Sequence, residues 1–189
     1  IDLYNKGLIY RGTKMVNWDP AGQTTLSDEE VIFKDTQDQL FTVIYKGVDF
    51  DGELMVATAR PETIAGDVAV CVNPNDERYQ ALIGKKVMVP LIGREVAIIA
   101  DDYIDIEFGT GVLKVTPAHD INDYNIGLKF HLPVIDTLNA DGTISAAGEL
   151  FVGEDRFVAR KMWVKKLKEE GLLFKQENYS HNVGYSERT

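Results

Sequence analysis

Apolar residues recur along this chain mostly in short runs or at alternate positions, the period of strands whose successive side chains face opposite sides of a sheet. Segments 31–33, 40–48, 53–58, 68–72, 86–89, 95–100, 112–115 and 133–137 read as strands, and several are bounded by Gly, Asp or Pro. Asp51-Gly52, set between two apolar runs, predicts a hairpin, and Ile92-Gly93 and Asp141-Gly142 mark further turns. Helices are expected over 76–83, 120–130 and 155–170, the last stopped by Gly171 and carrying Phe157, Val164 and Leu167 at helical spacing. Many short strands with few helices predict an α+β chain, a distorted β-barrel of short strands with peripheral helices.

The 189 residues are 44% apolar and contain no repeat, low-complexity tract or Pro/Gly/Ser linker, which fits one domain with its own core. No apolar run approaches the roughly 20 residues of a membrane span, and the N-terminus lacks the basic-then-apolar pattern of a signal peptide. A cytoplasmic protein without membrane contact is expected. The single cysteine, Cys71, lies in Val68-Ala69-Val70-Cys71-Val72 and reads as a small buried hydrophobe. Because the chain starts without methionine and stops at Ser186-Glu187-Arg188-Thr189, it reads as a monomeric piece of something longer.

The net charge of −10 argues against a broad electropositive face that grips nucleic acid through its phosphates. Positive charge concentrates only at Arg156, Arg160, Lys161, Lys165, Lys166 and Lys168, which reads as a solvated helix face rather than a phosphate-contacting patch.

Two constellations could carry chemistry. Thr58-Ala59-Arg60-Pro61-Glu62-Thr63 ends a strand ahead of a turn whose first position suits Pro61. Backbone amides, both threonines and the Arg60 guanidinium could converge there on an oxyanion or phosphate, or the stretch is a plain strand-to-helix junction with locally satisfied donors. The second runs Gly109-Thr110-Gly111-Val112-Leu113-Lys114-Val115-Thr116-Pro117-Ala118-His119-Asp120-Ile121-Asn122-Asp123-Tyr124. Strand alternation puts Lys114 and Thr116 on one face, and Asp120 and Asp123 fall near the positive end of a helix. Cation, hydroxyls and two carboxylates suffice to hold an ammonium and activate a water, although Asp120 alone also makes an ordinary N-cap. His119 beside two carboxylates invites a metal, but His131 and His181 stand in no ligand spacing with it, so no metal is expected. A serine-nucleophile elbow, a Walker loop and a dinucleotide fingerprint are all missing.

These motifs, with Gly7-Leu8-Ile9-Tyr10-Arg11-Gly12, Val16-Asn17-Trp18-Asp19-Pro20 and His181-Asn182-Val183-Gly184-Tyr185-Ser186-Glu187-Arg188, resemble the connective editing insert of the class I aminoacyl-tRNA synthetases for valine, isoleucine and leucine. Asn-Trp-Asp-Pro and Thr-Pro-Ala-His-Asp side with the valyl branch, where the other two carry Pro-Gly-His. The resemblance implies residues 21–178 as the editing domain, with 1–20 and 179–189 as strands tying it to the aminoacylation core. It implies hydrolysis of threonine wrongly esterified to valine tRNA. An apolar synthetic pocket rejects the added hydroxyl only about a hundredfold, a known figure for the valyl enzymes rather than one obtained from this chain. On this resemblance Asp123 holds the substrate ammonium, while Thr58, Arg60 and Thr63 grip the terminal adenosine and the ester. Lys114, Thr116, His119 and Asp120 line the same pocket, Asp120 and Lys114 sharing the threonine hydroxyl, the water and the developing charge between them. Its partners are the tRNA acceptor end and the rest of the synthetase; no cofactor is implied here, with ATP and Mg belonging to the aminoacylation domain. An isoleucyl or leucyl editing domain, or a non-catalytic insert that only positions the acceptor end, are the alternatives.

Overall fold

The computed structural model describes residues 1–189. Its elements in chain order are a one-turn helix α1 (Asp2–Asn5), strands β1 (Asn17–Asp19), β2 (Thr24–Leu26), β3 (Val31–Lys46), β4 (Glu53–Thr58), β5 (Ala69–Val72), β6 (Lys86–Met88), β7 (Glu95–Ala100) and β8 (Val112–Val115), helices α2 (Ile121–Lys129) and α3 (Arg156–Glu169), and strand β9 (Leu173–Ser186). Short 3-10 turns intervene, among them Pro61–Gly66 after β4. No helix is long and apolar enough to cross a membrane.

The strands form three sheets, β1-β2, β4-β3-β9 and β6-β7-β5-β8, so the class is α+β but no barrel closes. The edge strands β4 and β8 lie side by side without a shared ladder, and the two larger sheets pack on a common core while the one β-bridge between them is Gly47 to Val87. The expected barrel is therefore corrected to three open sheets, two large and one small. Hairpin β3-β4 turns at Asp51-Gly52, where Gly52 takes φ +137°, a conformation L side chains rarely adopt. Its inward residues Val43, Tyr45, Leu54 and Val56 are buried.

Strand β5, Ala69-Val70-Cys71-Val72, is buried on both faces, as expected for an apolar run at the centre of a sheet. Its alternation divides the core. Val70 and Val72 join the main cluster with Val43, Val56, Ile98, Trp163 and Leu167, while Ala69 and Cys71 join a smaller one with Val115 and Ile126 of α2. Burial pushes the Cys71 thiol up to about 12, which keeps it an inert hydrophobe.

Other expectations are corrected. Segments 31–33 and 40–48 are one strand, because the polar stretch Lys34 to Gln39 continues the ladder opposite β9 from Val31–Ser186 to Val43–Leu173. That ribbon is held by backbone pairing and by cross-strand bonds such as Gln37 to Ser180 and Gln39 to Asn178 rather than by burial. The helix expected over 76–83 shrinks to the 3-10 turn Gln80–Leu82, since Asn73 and Asp76 spend their side chains on the nearby amides of Asn75 and Arg78. Segment 133–137 forms no strand, and residues 7–12 form neither strand nor helix.

Helix α3 is capped by Asp155, whose Oδ1 accepts from the amides of Phe157 and Val158, and it buries Ala159, Trp163 and Leu167. Phe157 faces solvent instead. Its charged face is not wholly solvated either. Arg160 donates through Nε and Nη2 to the two oxygens of Glu62 at 2.9 and 2.8 Å and through Nη1 to Asp38 at 3.2 Å. Glu62 is fully buried in the Pro61–Gly66 turn, so this fork fastens the turn to the helix. Arg160→Met would leave that buried carboxylate with only the Arg60 Nε, 3.7 Å away, and should cost about 3 kcal/mol in urea unfolding, against roughly 0.5 or less for the exposed Lys165→Met. Similar losses for both would remove Arg160 from this role.

Candidate functional site

The two constellations meet where β4 ends beside β8. Thr58, the last residue of β4, accepts the amide of Arg60 on its hydroxyl at 3.1 Å. Arg60 opens the Pro61–Gly66 turn, which places Pro61 at its first position and buries Thr63. Thr63 Oγ1 donates to the Arg60 carbonyl at 2.9 Å, closing the turn on itself. The Arg60 guanidinium crosses to the other constellation and donates to the His119 carbonyl at 3.0 Å. The junction reading and the site reading of this stretch thus describe the same geometry, a locally satisfied turn that carries a cation.

Lys114 and Thr116 share one face, as alternation requires. Lys114 Nζ donates to Thr63 Oγ1 at 3.0 Å, to Thr116 Oγ1 at 2.5 Å and to Asp67 Oδ1 at 3.3 Å. An ammonium has three protons, so all of them are used within the chain. Thr116 Oγ1 donates onward to Asp67 Oδ1 at 2.7 Å, and Tyr45 donates to Asp67 Oδ2 at 2.5 Å. Asp67 is completely buried; burial raises its carboxyl above the usual range, against the pull of Lys114 and these hydrogen bonds. Sequence reasoning missed Asp67, Tyr45, Glu62 and Arg160. The one available signal was a charged residue directly ahead of the apolar run at 68–72.

Asp120 is the N-cap of α2, its Oδ1 accepting from the amides of Asn122 at 2.8 Å and Asp123 at 3.2 Å. Its Oδ2 accepts nothing from the chain. Asp123 is buried, with Oδ2 fixed by the Thr116 amide at 2.8 Å and Oδ1 without a partner in the chain. The helix approaches this closely because Gly127 packs on Pro117, where an added Cβ would come within 3.0 Å of Pro117 Cγ. Burial lifts the Asp123 carboxyl to about 6, with Lys114 opposing and Asp120 and Asp67 adding to the rise. No three His, Cys, Asp or Glu side chains converge as a metal-holding group.

His119 serves the scaffold through one ring nitrogen. The Thr137 amide donates to Nε2 at 3.1 Å and the Thr137 hydroxyl lies 2.8 Å from the same atom, so Nε2 is the acceptor and the ring proton sits on Nδ1. Segment 133–137 thus spends its backbone on a side chain instead of a ladder. Burial, with Arg60 and Lys114 nearby, drops the imidazole to about 3.

These shifts have opposite signs in linkage. Between about pH 4 and 6 the folded chain keeps a proton on Asp123 that the unfolded chain has lost, so stability falls as pH rises. Between about pH 3 and 6.5 the folded chain lacks a proton on His119 that the unfolded chain holds, so stability rises with pH. Asp123→Asn removes the first contribution while keeping an oxygen for the Thr116 amide. Urea unfolding should show that variant about 2–3 kcal/mol more stable than the parent at pH 8 and equal to it near pH 3.5. Equal stability at both pH values would show that Asp123 carries no buried charge.

The comparisons with known proteins agree with one another. A family model described as tRNA synthetases class I (I, L, M and V) matches residues 1–183. The chain is 60% identical over 189 residues to the valine–tRNA ligase of Bacteroides fragilis, 59% to that of Parabacteroides distasonis and 54% to that of Halalkalibacterium halodurans. Each match takes in all of this chain and 22% of the relative's length. Among solved structures, the Agrobacterium radiobacter K84 agnB2 LeuRS, crystallised as a ternary complex with tRNA and LeuAMS, matches at TM-score 0.57 and 21% identity over 98% of this chain and 32% of that one. With its whole length aligned to about a fifth of several valine–tRNA ligases and the family model matching nearly all of it, the chain belongs to the class I tRNA synthetases (I, L, M and V).

Proposed function

We propose that this chain is the editing domain of a valine–tRNA ligase and hydrolyses the ester joining a wrongly attached threonine to the terminal adenosine of valine tRNA. The observation that carries the reading is Asp123, a buried carboxylate with one oxygen held by the Thr116 amide and the other left without a donor from the chain. An α-ammonium supplies that donor. Thr58, Arg60 and Thr63 form the facing wall and take the adenosine and the ester. A water held by Asp123, Thr58 and the free ribose hydroxyl attacks the ester carbonyl carbon. The bond to the ribose oxygen breaks, that oxygen takes up the proton the water gives up, and threonine and uncharged tRNA leave.

Asp120 offers its unbonded Oδ2 to the threonine hydroxyl. Lys114, with its protons committed to Thr63, Thr116 and Asp67, acts through its charge on the developing oxyanion from behind those hydroxyls. His119 and Thr116 shape the pocket as scaffold. Residues 1–20 and 179–189 serve as the connections to the aminoacylation core, and they meet where Ser186 donates to Asp19 at 2.8 Å. The domain works in the cytoplasm, as a monomer within its synthetase, without a cofactor of its own.

Asp123→Ala in the intact ligase should lower threonyl-tRNA hydrolysis by about a hundredfold or more, in EDTA as well as in its absence, and leave valine activation unchanged. Undiminished hydrolysis in the variant, or wild-type hydrolysis that EDTA abolishes and zinc restores, would overturn the mechanism. If the chain only positions the acceptor end, wild-type hydrolysis itself will be absent.

Asp120→Ala tests selectivity. Correctly attached valine offers a methyl where threonine offers a hydroxyl; Asp120 is exposed in the free chain, so its oxygen is left unpaired, at about 1–3 kcal/mol, to the extent that the bound ester shuts out water. Removing that oxygen should lower the ratio of threonyl to valyl hydrolysis roughly tenfold, beyond the cost of about 1 kcal/mol in stability from the lost cap. Equal rate losses on both esters would confine Asp120 to capping.

A further inference from the structure

A lysine and an aspartate buried near one another ordinarily collapse into an ion pair, and a carboxylate so paired binds a substrate ammonium more weakly, because its charge is already offset and the lysine competes for its oxygens. Lys114 and Asp123 are near enough for the lysine to pull on the Asp123 carboxyl, yet they form no ion pair. The lysine is turned instead toward Asp67, which accepts from Lys114 Nζ and Thr116 Oγ1 on Oδ1 and from Tyr45 on Oδ2. Asp67 stays in that position through its backbone. Arg94 Nη2 donates to the Asp67 carbonyl at 2.9 Å, and Gly66 packs so tightly on the Thr116 methyl and the Ile135 carbonyl that an added Cβ would lie 3.0 Å from each. Because the neighbouring Thr116 amide holds Asp123 Oδ2, the same residue connects both carboxylates.

We propose that Asp67 is a positioning residue of the hydrolytic site, a buried counter-ion that captures Lys114 and so keeps Asp123 free for the substrate ammonium. This rests on the editing reading given above. Asp67 touches neither substrate nor water; it acts by deciding which carboxylate the lysine pairs with. Without it, Lys114 swings to Asp123 and occupies the ammonium's place.

The charged groups that act on the Asp123 carboxyl are Lys114 on β8, Asp67 ahead of β5 and Asp120 at the cap of its own helix; Cys71 on β5 and Tyr103 in the loop after β7 lie near enough to feel its charge and stay neutral where it titrates. Removing the negative charge of Asp67 and moving Lys114 closer both favour ionised Asp123, so the acid limb of the rate profile shifts to lower pH.

The test uses the intact ligase, assayed for threonyl-tRNA hydrolysis across pH beside aminoacylation. Asp67→Asn should raise the KM for threonyl-tRNA about tenfold or more and move the acid limb down in pH, with aminoacylation unchanged. The double variant Asp67→Asn with Lys114→Met removes the competitor and should bring KM back to within about threefold of wild type, although kcat stays low without the lysine charge. Wild-type KM and an unmoved limb in the single variant, or a double variant whose KM is as poor as the single, would overturn the proposal. Should the single variant fail to fold, the KM of the double decides alone, tenfold loss counting against. Asp123→Ala run in parallel separates the two readings: undiminished hydrolysis there removes the editing reading, whereas its loss together with a silent Asp67→Asn removes only the role of Asp67.

Discussion

A carboxylate and an ammonium can share a dry interior only when each finds its partners there, because leaving either unpaired costs several kcal/mol. Asp67 and Lys114 meet that condition with a closed set of hydrogen bonds, and the set also determines how the molecule is assembled. Tyr45 comes from the three-stranded sheet, Lys114 from the four-stranded one with Thr116 just past its last strand, and Thr63 from the turn after β4. No backbone ladder joins the sheets along β4 and β8. The carboxylate of Asp67 links them there, and a change in its charge reaches both sheets at once.

The open seam explains where the site lies. Had β4 and β8 paired, their edges would have spent their backbone groups on each other and brought Thr58 against Lys114 with no room between. Unpaired, they present Thr58 and the Pro61–Gly66 turn on one side and Thr116 with the start of α2 on the other. Arg60 spans the gap to the His119 carbonyl, and α3 secures the turn from behind through Arg160 and Glu62. The departure from a closed barrel and the meeting of the two constellations at the ends of β4 and β8 are one structural fact.

What was legible in the sequence follows from what each element depends on. Strands β4, β7 and β8 have the bounds expected from their alternation, and α2 and α3 begin one residue after their expected starts because Asp120 and Asp155 cap them. Those signals are local. The polar half of β3 could not be found in this way, since Lys34 to Gln39 bury no apolar side chain and are strand only because β9 lies opposite, far along the chain. Asp67 was hidden for a related reason. Its role depends on Tyr45 and Lys114, brought to it by two different sheets, and no spacing in the sequence records that meeting. Arg160 sat in a run of lysines and took its place in that pattern, whereas its fork on Glu62 depends on how α3 docks.

Asp120 shows why a structural and a functional reading of one residue need not compete. A carboxylate has two oxygens and about four acceptor positions, and capping uses one oxygen here. That oxygen accepts from the Asp123 amide, so the cap itself fixes the residue whose carboxylate lies across from the Thr116 amide. The free oxygen remains beside Asp123, and the like charge contributes to the raised Asp123 carboxyl. Asp120 therefore terminates the helix, places Asp123 and raises its proton affinity with one side chain. A Ser or Asn in its place could cap the helix nearly as well. Neither carries the negative charge, so aspartate adds to its cap a contribution to the field around Asp123, smaller than that of burial.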